Sequence, residues 1–458
     1  MKRLTFLLAA LPLLIAACTP ATATPVAGQH PTKASPATPT RSVTSSSLKP
    51  LESALKGLRI DVWHPWFGTD ASLFETMVRE FNSGNPWGIQ VTSTGQVSYG
   101  ILYENVKTAL PTENRPDLVI ALPEQARAWD ADGYVVDLAP YLSDPAYGWT
   151  EDELRDFGPA FLLQDAAGTR RLALPLQRSA RFLLWNETWA AELGFLKPPA
   201  TPEEFREQAC RATQSLISDA LPDNDGLGGW LVDTEAMTAL SWLQAFDGGP
   251  LEGEDYRFLT PNNIAAFTFV RKLQEDGCAW MPAAGLDPLA AFAGRNALFV
   301  TAALEQFPQV TRAFAAAGNT DQWVPLAFPG ESKGILVLYG SSLVMLKSTD
   351  EEQLATWLFM DWLLSPENDA RSARTTGLLP VRISARALMA DYESSHPQWA
   401  QALDLAADGN IQPQLASWRI VRVMLGDGFT QMFRISLPSG QVPAILAQME
   451  STARDLGK

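Results

Sequence analysis

The side chains here that could do chemistry are aromatic and planar polar groups, not acid–base pairs. Fifteen tryptophans are many for 458 residues. An indole offers a broad apolar face to the C–H side of a sugar ring, with an N–H donor at its edge. Trp63, Trp66 and Trp230 fall where strands are expected to give way to loops, whereas Trp357 and Trp362 lie five apart on an expected helix and read as core. Hydroxyl groups are recognised by planar polar side chains, most strongly through charge-assisted hydrogen bonds. Gln96, Tyr99, Glu124, Gln125, Gln177, Arg178 and Ser179 occupy such strand ends.

Catalytic patterns are missing. Cleaving a glycosidic bond needs two opposed carboxylates at a set separation, and with 51 acidic residues such pairs can be drawn anywhere. No G-x-S-x-G elbow, H-E-x-x-H helix or Walker loop occurs. Asp223-Asn224-Asp225-Gly226-Leu227-Gly228 lacks the EF-hand spacing and reads as a turn. The histidines are His30, His64 and His396, too few to suggest metal catalysis. The expectation is no catalytic residue, no metal and no cofactor.

The elements that must position these side chains read as β-loop-α repeated. Arg59 to Trp63 alternates like a strand and runs into His64-Pro65-Trp66-Phe67-Gly68. Phe74, Met77, Val78 and Phe81 then mark one helix face. Ile89 to Thr92 is a strand, Tyr99 to Leu110 a helix, and Asp117 to Ala121 a buried strand before a loop at Pro123-Glu124-Gln125. This order implies an α/β fold with a mostly parallel sheet, in which ligands meet the carboxyl ends of strands. Later strands are expected at Leu172 to Leu176, Gly334 to Tyr339 and Leu343 to Leu346, with a helix from Glu351 to Leu364.

The ends and the charge narrow the setting. Lys2 and Arg3 precede an apolar stretch, Leu4 to Ala17, too short to span a bilayer and built like a signal peptide. Ile15-Ala16-Ala17-Cys18 resembles the bacterial lipobox, so residues 1–17 are expected to be removed and Cys18 lipidated. Residues 18–56, rich in Thr, Pro, Ala and Ser, are expected to form a disordered tether. The net charge is −16, or −18 once Lys2 and Arg3 leave with the signal, which opposes nucleic-acid binding. In an oxidising compartment Cys210 and Cys278 either bond or stand as separate buried thiols; the bond is the expectation. The absence of C-x-x-C argues against a redox or zinc site.

Further landmarks follow in order: Trp63-His64-Pro65-Trp66, Glu80-Phe81-Asn82 before Asn85-Pro86, Pro116-Asp117-Leu118, and Ala173-Leu174-Pro175-Leu176 with Trp185-Asn186. Then come Thr201-Pro202-Glu203-Glu204-Phe205, Tyr339-Gly340-Ser341-Ser342, Ser365-Pro366-Glu367 and Thr376-Gly377-Leu378-Leu379-Pro380. Over nearly all of 57–456 this pattern resembles extracellular solute-binding family 1, the group that includes maltose-binding and glycerol-3-phosphate-binding proteins. The resemblance implies a two-lobed, periplasmic-binding-protein-like (type II) α/β fold with a ligand cleft between the lobes. It implies crossovers near 177–181, 330–336 and 378–382. Lobe 1 would be 57–178 with 335–379, and lobe 2 would be 179–334 with 380–456.

The same resemblance implies ligand contacts at Glu124, at Gln177, Arg178 and Ser179 on the first crossover, and at Gly340 and Ser341, where backbone meets ligand. Arg422 is similar to a late cleft-facing arginine of the glycerol-phosphate branch. That branch commonly has Tyr where this chain has Leu378, which tilts the reading toward a sugar, although Arg178 and Arg422 could meet an anion. The implied function is the substrate-binding lipoprotein of an ABC importer. It would be a monomer on the outer face of the cytoplasmic membrane or in the periplasm, held by its lipid alone, passing a sugar or oligosaccharide to permease subunits. The alternatives are glycerol-3-phosphate or another polyol phosphate as ligand, a secreted glycoside hydrolase, and a binding protein that serves a sensor.

Overall fold

The computed structural model describes residues 52–434 and 437–457, together with Leu48. The expected signal peptide, Cys18 and most of the tether lie outside the described residues. The tether's expected end does not hold. Glu52–Leu55 is a short helix, α1, and Leu55 is fully buried, so folded chain begins before residue 57.

The chain then runs as the spacing predicts: β1 (Arg59–His64), α2 (Gly68–Gly84), β2 (Gln90–Gly95), α3 (Tyr99–Ala109), β3 (Leu118–Ala121) and α4 (Pro123–Ala131). Ile60, Val62 and His64 alternate inward on β1, and Phe74, Met77, Val78 and Phe81 form the buried face of α2. Such strict periods let one face of each element leave water. β4 (Leu174–Pro175) ends this lobe, and β5 (Ser179–Asn186) opens the next. There β6 (Trp230–Leu231), β7 (Ala279–Trp280), β8 (Phe299–Ala303), β9 (Trp323–Leu326) and β10 (Leu338–Tyr339) follow. β11 (Ser342–Met345) returns to the first lobe.

Two main sheets result, one per lobe, beside two two-stranded ribbons at 166–171 and 251–256. The first has order β2-β1-β3-β11-β4 and the second β7-β6-β8-β5-β9. β1 is parallel to β2 and β3, while β11 is antiparallel to β3 and β4. In lobe 2, β6 is parallel to β7 and β8, and β5 is antiparallel to β8, β9 and β10. Ala180, Phe182 and Leu184 of β5 face one apolar core, while Leu183 and Trp185 face another.

The crossovers differ in detail from expectation. Ile335 bridges Phe328, and Leu338–Tyr339 pairs with Ser179 and Ala180. Residues 335–339 therefore belong to lobe 2, and the second crossing is at Gly340–Ser341, not 330–336. The cause is pairing: both crossing segments stay hydrogen-bonded to each other until the residues between the sheets. Gly340 has φ +152°, and a Cβ there would lie 2.0 Å from the Gln177 carbonyl oxygen, so only glycine fits. At the third crossing Leu379 N donates to Arg178 O at 2.9 Å. Arg382, expected in lobe 2, is held by lobe 1: its N–H donates to Asp369 Oδ2 at 2.8 Å, and its guanidinium lies 4.3 Å from the Phe157 ring.

Arg178 sits at the centre of this hinge, fully buried. Its Nη1 donates to Ser341 O (2.7 Å) and Gln177 O (2.9 Å), and its Nη2 to Asp165 Oδ2 (2.9 Å). Removing one member of a buried pair strands the other charge. Arg178→Met is expected to lower the unfolding free energy by about 3–5 kcal/mol in urea titration; a loss below about 1 kcal/mol would show that the pair does not hold the hinge.

The expected Cys210–Cys278 bond is present, closing a sequence separation of 68 residues. It ties the helix Pro202–Ile217 to the start of β7 within lobe 2. Loop closure of this size is worth about 4 kcal/mol in the chain-entropy model. Reduction, or Cys210→Ala with Cys278→Ala, should lower the denaturation midpoint accordingly, and two thiols titrating in unreduced denatured protein would contradict the bond.

Candidate ligand cleft

In lobe 1, three strands deliver three helix starts to one edge of the sheet. Trp66 follows β1, half-buried, its ring 5.5 Å from His64 and 5.3 Å from Phe74. Tyr99 opens α3, whose N-cap is Ser98. Glu124 and Gln125 lie in the first turn of α4, not in a loop. Gln125 is buried and ties the two starts together: its Nε2 donates to Tyr99 O at 2.8 Å, and its Oε1 accepts from Leu122 N at 3.0 Å. It is a brace for Tyr99 and Glu124. Gln96 accepts from Asn105 Nδ2 at 2.6 Å and secures the same corner. A carboxylate in a first helical turn also meets the positive end of the macrodipole, which suits Glu124.

The hinge supplies the floor. Ser341 Oγ donates to Gln177 Oε1 at 3.2 Å, and Ser341 also acts on the Tyr99 phenol. Burial pushes the Tyr99 phenol up to about 12, so it stays a neutral hydroxyl that can donate and accept. Ser179 Oγ donates to Glu305 Oε2 at 2.8 Å. Tyr339 pairs with Ser179 through the backbone, and its phenol proton is held first by burial and next by the Glu305 charge.

Lobe 2 closes over this floor through α5 (Trp418–Met432). Arg422 Nη2 lies 3.4 Å from Glu124 Oε1, and the Arg419 guanidinium lies 4.0 Å from the Tyr103 ring. Arg127 of α4 donates to Gln414. The lobes thus touch across the cleft. Beside the cleft, a small cavity of about 20 Å³ within lobe 1, lined by Trp66, Asp70, Phe74, Gln177 and Thr376, has room for a water.

Of the residues expected from sequence, Trp66, Tyr99, Glu124, Gln177, Ser179, Gly340, Ser341 and Arg422 are brought to this cleft. Trp63, Trp230 and Arg178 are not. Trp63 lies within β1, its Nε1 donating to Asp61 Oδ2 at 2.8 Å, half-buried against the core. Trp230 is fully buried in β6, edge-on to Trp242 at 5.6 Å. A strand residue projects onto a sheet face, not off the strand's end, and that decides both tryptophans. Arg178 is consumed by Asp165.

Sequence reasoning missed Asp70, Tyr103, Arg127, Glu305, Tyr339 and Arg419. Asp70, in the first turn of α2, was findable from its place four residues after Trp66, and Tyr339 from its neighbour Gly340. Glu305 and Arg419 reach the cleft through lobe geometry alone.

Residues 76–406 match the family model of bacterial extracellular solute-binding proteins, and the chain belongs to that family. Membership places the folded body in the periplasm or outside the cell. Among the described residues no helix is long and apolar enough to cross a membrane. The fold is similar to the sugar-binding protein MalE of Xanthomonas citri, with TM-score 0.74 and 18% identity, covering 87% of this chain and 97% of that one. It is similar to the cyclic alpha-maltosyl-1,6-maltose binding protein of Arthrobacter globiformis (0.70, 19%, 87% and 98%). It is also similar to UgpB of Mycobacterium tuberculosis, solved with glycerophosphocholine (0.69, 18%, 87% and 98%). At these identities the likeness establishes the two-lobed fold. Comparison with curated protein sequences gives no match.

Asp70 makes the cleft sensitive to pH. Its carboxyl is raised above the ordinary 3.8, first by burial and second by the charge of Glu305 on the opposite lobe. A carboxyl whose folded value is raised binds more protons folded than unfolded, so its contribution falls as pH rises from about 3.8 through the raised value. Asp70→Asn is therefore expected to raise the melting temperature at pH 7 and to leave it unchanged below pH 3.8. An equal effect at both pH values would contradict the assignment.

Proposed function

We propose that this chain is the substrate-binding lipoprotein of an ABC importer and that it captures a neutral sugar or oligosaccharide by closing its two lobes. The carrying observation is the cleft floor, where a half-buried Trp66 shares a small cavity with Gln177, whose amide accepts from the Ser341 hydroxyl. An indole face with neutral donors and acceptors beside it suits a ring that is apolar on its faces and hydroxylated at its rim. Of the two arginines that the sequence offered to an anion, Arg178 is buried against Asp165 and Arg422 lies 3.4 Å from Glu124, while Arg419 rests on the Tyr103 ring. That favours a sugar over a polyol phosphate. The named ligands of the structural neighbours, a cyclic maltosyl-maltose and glycerophosphocholine, support the same pair of readings in that order.

Capture proceeds by hinge motion. The lobes touch at Arg422–Glu124 and at Arg419–Tyr103, so they part for entry about the crossings at 177–178 and 340–341. On closure Arg422 returns to Glu124, and Arg419 to the Tyr103 face. The ligand leaves unchanged to the permease. Cys18 and the residues after it hold the body at the membrane.

Trp66→Ala should weaken saccharide binding by about 1–3 kcal/mol, the range for burying a large side chain, with the fold intact by circular dichroism. Calorimetry against maltose, mannose and glycerol-3-phosphate tests the ligand class. Tighter binding of the phosphate than of any saccharide would reverse the order of the two readings, and accumulation of cleaved sugar would overturn binding without turnover.

A further inference from the structure

At the end of α2 farthest from the cleft, lobe 1 carries a groove of about 750 Å³. α2 begins beside Trp66 and Asp70 and runs 17 residues, so the groove lies about 25 Å from the cleft at 1.5 Å per residue. Its floor is aromatic. Phe81 and Trp362, ring centroids 5.4 Å apart, line it with Trp87, and both tryptophans are only half-buried. Pro86 and Pro366 form ledges beside them. A concave apolar patch with a polar rim is the form an interaction site takes.

The rim is acidic. Asp152, Glu153, Asp156 and Asp361 line the groove against one guanidinium, that of Arg382. Arg382 is already spent: it is buried, 4.7 Å from the Trp149 ring and 4.3 Å from the Phe157 ring, with Nη1 3.4 Å from Asp156 Oδ2. The fold thus holds one arginine here between rings and a carboxylate. The open part of the groove offers the same chemistry without a cation. Asp361 is half-buried, and its Oδ1 accepts from Trp149 Nε1 at 2.5 Å, while its Oδ2 has no hydrogen-bond partner among the described residues. A guanidinium or ammonium group entering the groove would find a ring face and a carboxylate together. A lone amine would leave most of a volume this size unfilled, so the cation must come with apolar neighbours that cover the rings.

We propose that this groove docks an extended basic segment of a partner protein, an arginine or lysine flanked by proline or another apolar residue. The carboxylates select the cation, and the rings and proline ledges select its neighbours, as aromatic grooves do for proline-rich strands. The site is independent of what occupies the cleft. The test is fluorescence polarisation of the mature protein with labelled heptapeptides, in which proline alternates with leucine or phenylalanine about a central arginine. Twin peptides carry citrulline in its place. At least one arginine peptide should bind, about tenfold more tightly than its twin, the difference of one charge-assisted hydrogen bond, and more weakly as salt is raised. Asp361→Asn keeps the acceptor for Trp149 and removes the charge, so it should abolish the preference for arginine over citrulline. Asp152→Lys, on the exposed rim, should weaken the arginine peptide while leaving the fold and saccharide binding unchanged. No binding by any peptide, or equal binding of arginine and citrulline twins, would overturn the docking site. Putrescine binding as tightly as the peptides would overturn it in favour of a free amine, and a dimer broken by Asp152→Lys in favour of a second copy. None of these outcomes touches the sugar reading.

Discussion

The buried ion pair between Arg178 and Asp165 is the constraint on which the rest of the structure depends. Arg178 lies where the first crossing leaves lobe 1, and its side chain grips carbonyl groups of both crossings, at Gln177 and at Ser341. Its own carbonyl accepts from Leu379 on the third. One residue thus touches all three crossings, two through its guanidinium and the third through its backbone carbonyl. Burying the guanidinium costs heavily unless its donors are met, and the cost is offset at both Nη atoms by Asp165, Ser342 and three carbonyl oxygens, while its Nε has no partner among the described residues. The position of the hinge follows from where those acceptors can converge.

With the hinge held, the cleft inherits its chemistry from what lies beside it. Ser341 and Gln177 are fixed because the residues next to them are clamped, and Tyr99 is fixed because Gln125 holds its carbonyl. These groups stay neutral and oriented, which prepays the ordering that a ligand would otherwise impose. Across the gap the lobes meet through an arginine–carboxylate pair and a guanidinium on a phenol ring. Arg422 is partly exposed but Glu124 and Tyr103 are buried, so the attraction across the gap is offset by the cost of burying the charged partners. Asp70 and Glu305, like charges on opposite lobes, work against closure. A balance near zero is what lets a small ligand decide between open and closed.

Lobe 2 divides the labour differently. Its aromatic residues, Trp185, Trp230, Trp242 and Phe205, are spent on core packing, and the disulfide ties a covering helix to an edge strand. What remains for the cleft is polar and set on strand ends, at Arg181, Asp233 and Glu305. The aromatic face at the hinge-side cavity therefore comes from lobe 1.

Local order was legible in the residues themselves. The alternation of Ile60 and Val62, the Phe74–Phe81 face and the wholly apolar Leu118–Ala121 run each name an element, because burial of one face demands a period and the period is written in the sequence. Trp66, Tyr99 and Glu124 were findable for the same reason: they follow strands, and strand ends point to one edge. Trp63 and Trp230 were misplaced because a shift of one or two residues decides whether a side chain leaves a strand's end or lies on its face. The role of Arg178 could not be read, since its partners Asp165 and Ser341 lie 13 and 163 residues away. The sequence by itself determined the elements and the edge at which they end. Only the tertiary structure decided which polar groups are left free there, because a charge is spent or available according to what long-range packing sets beside it.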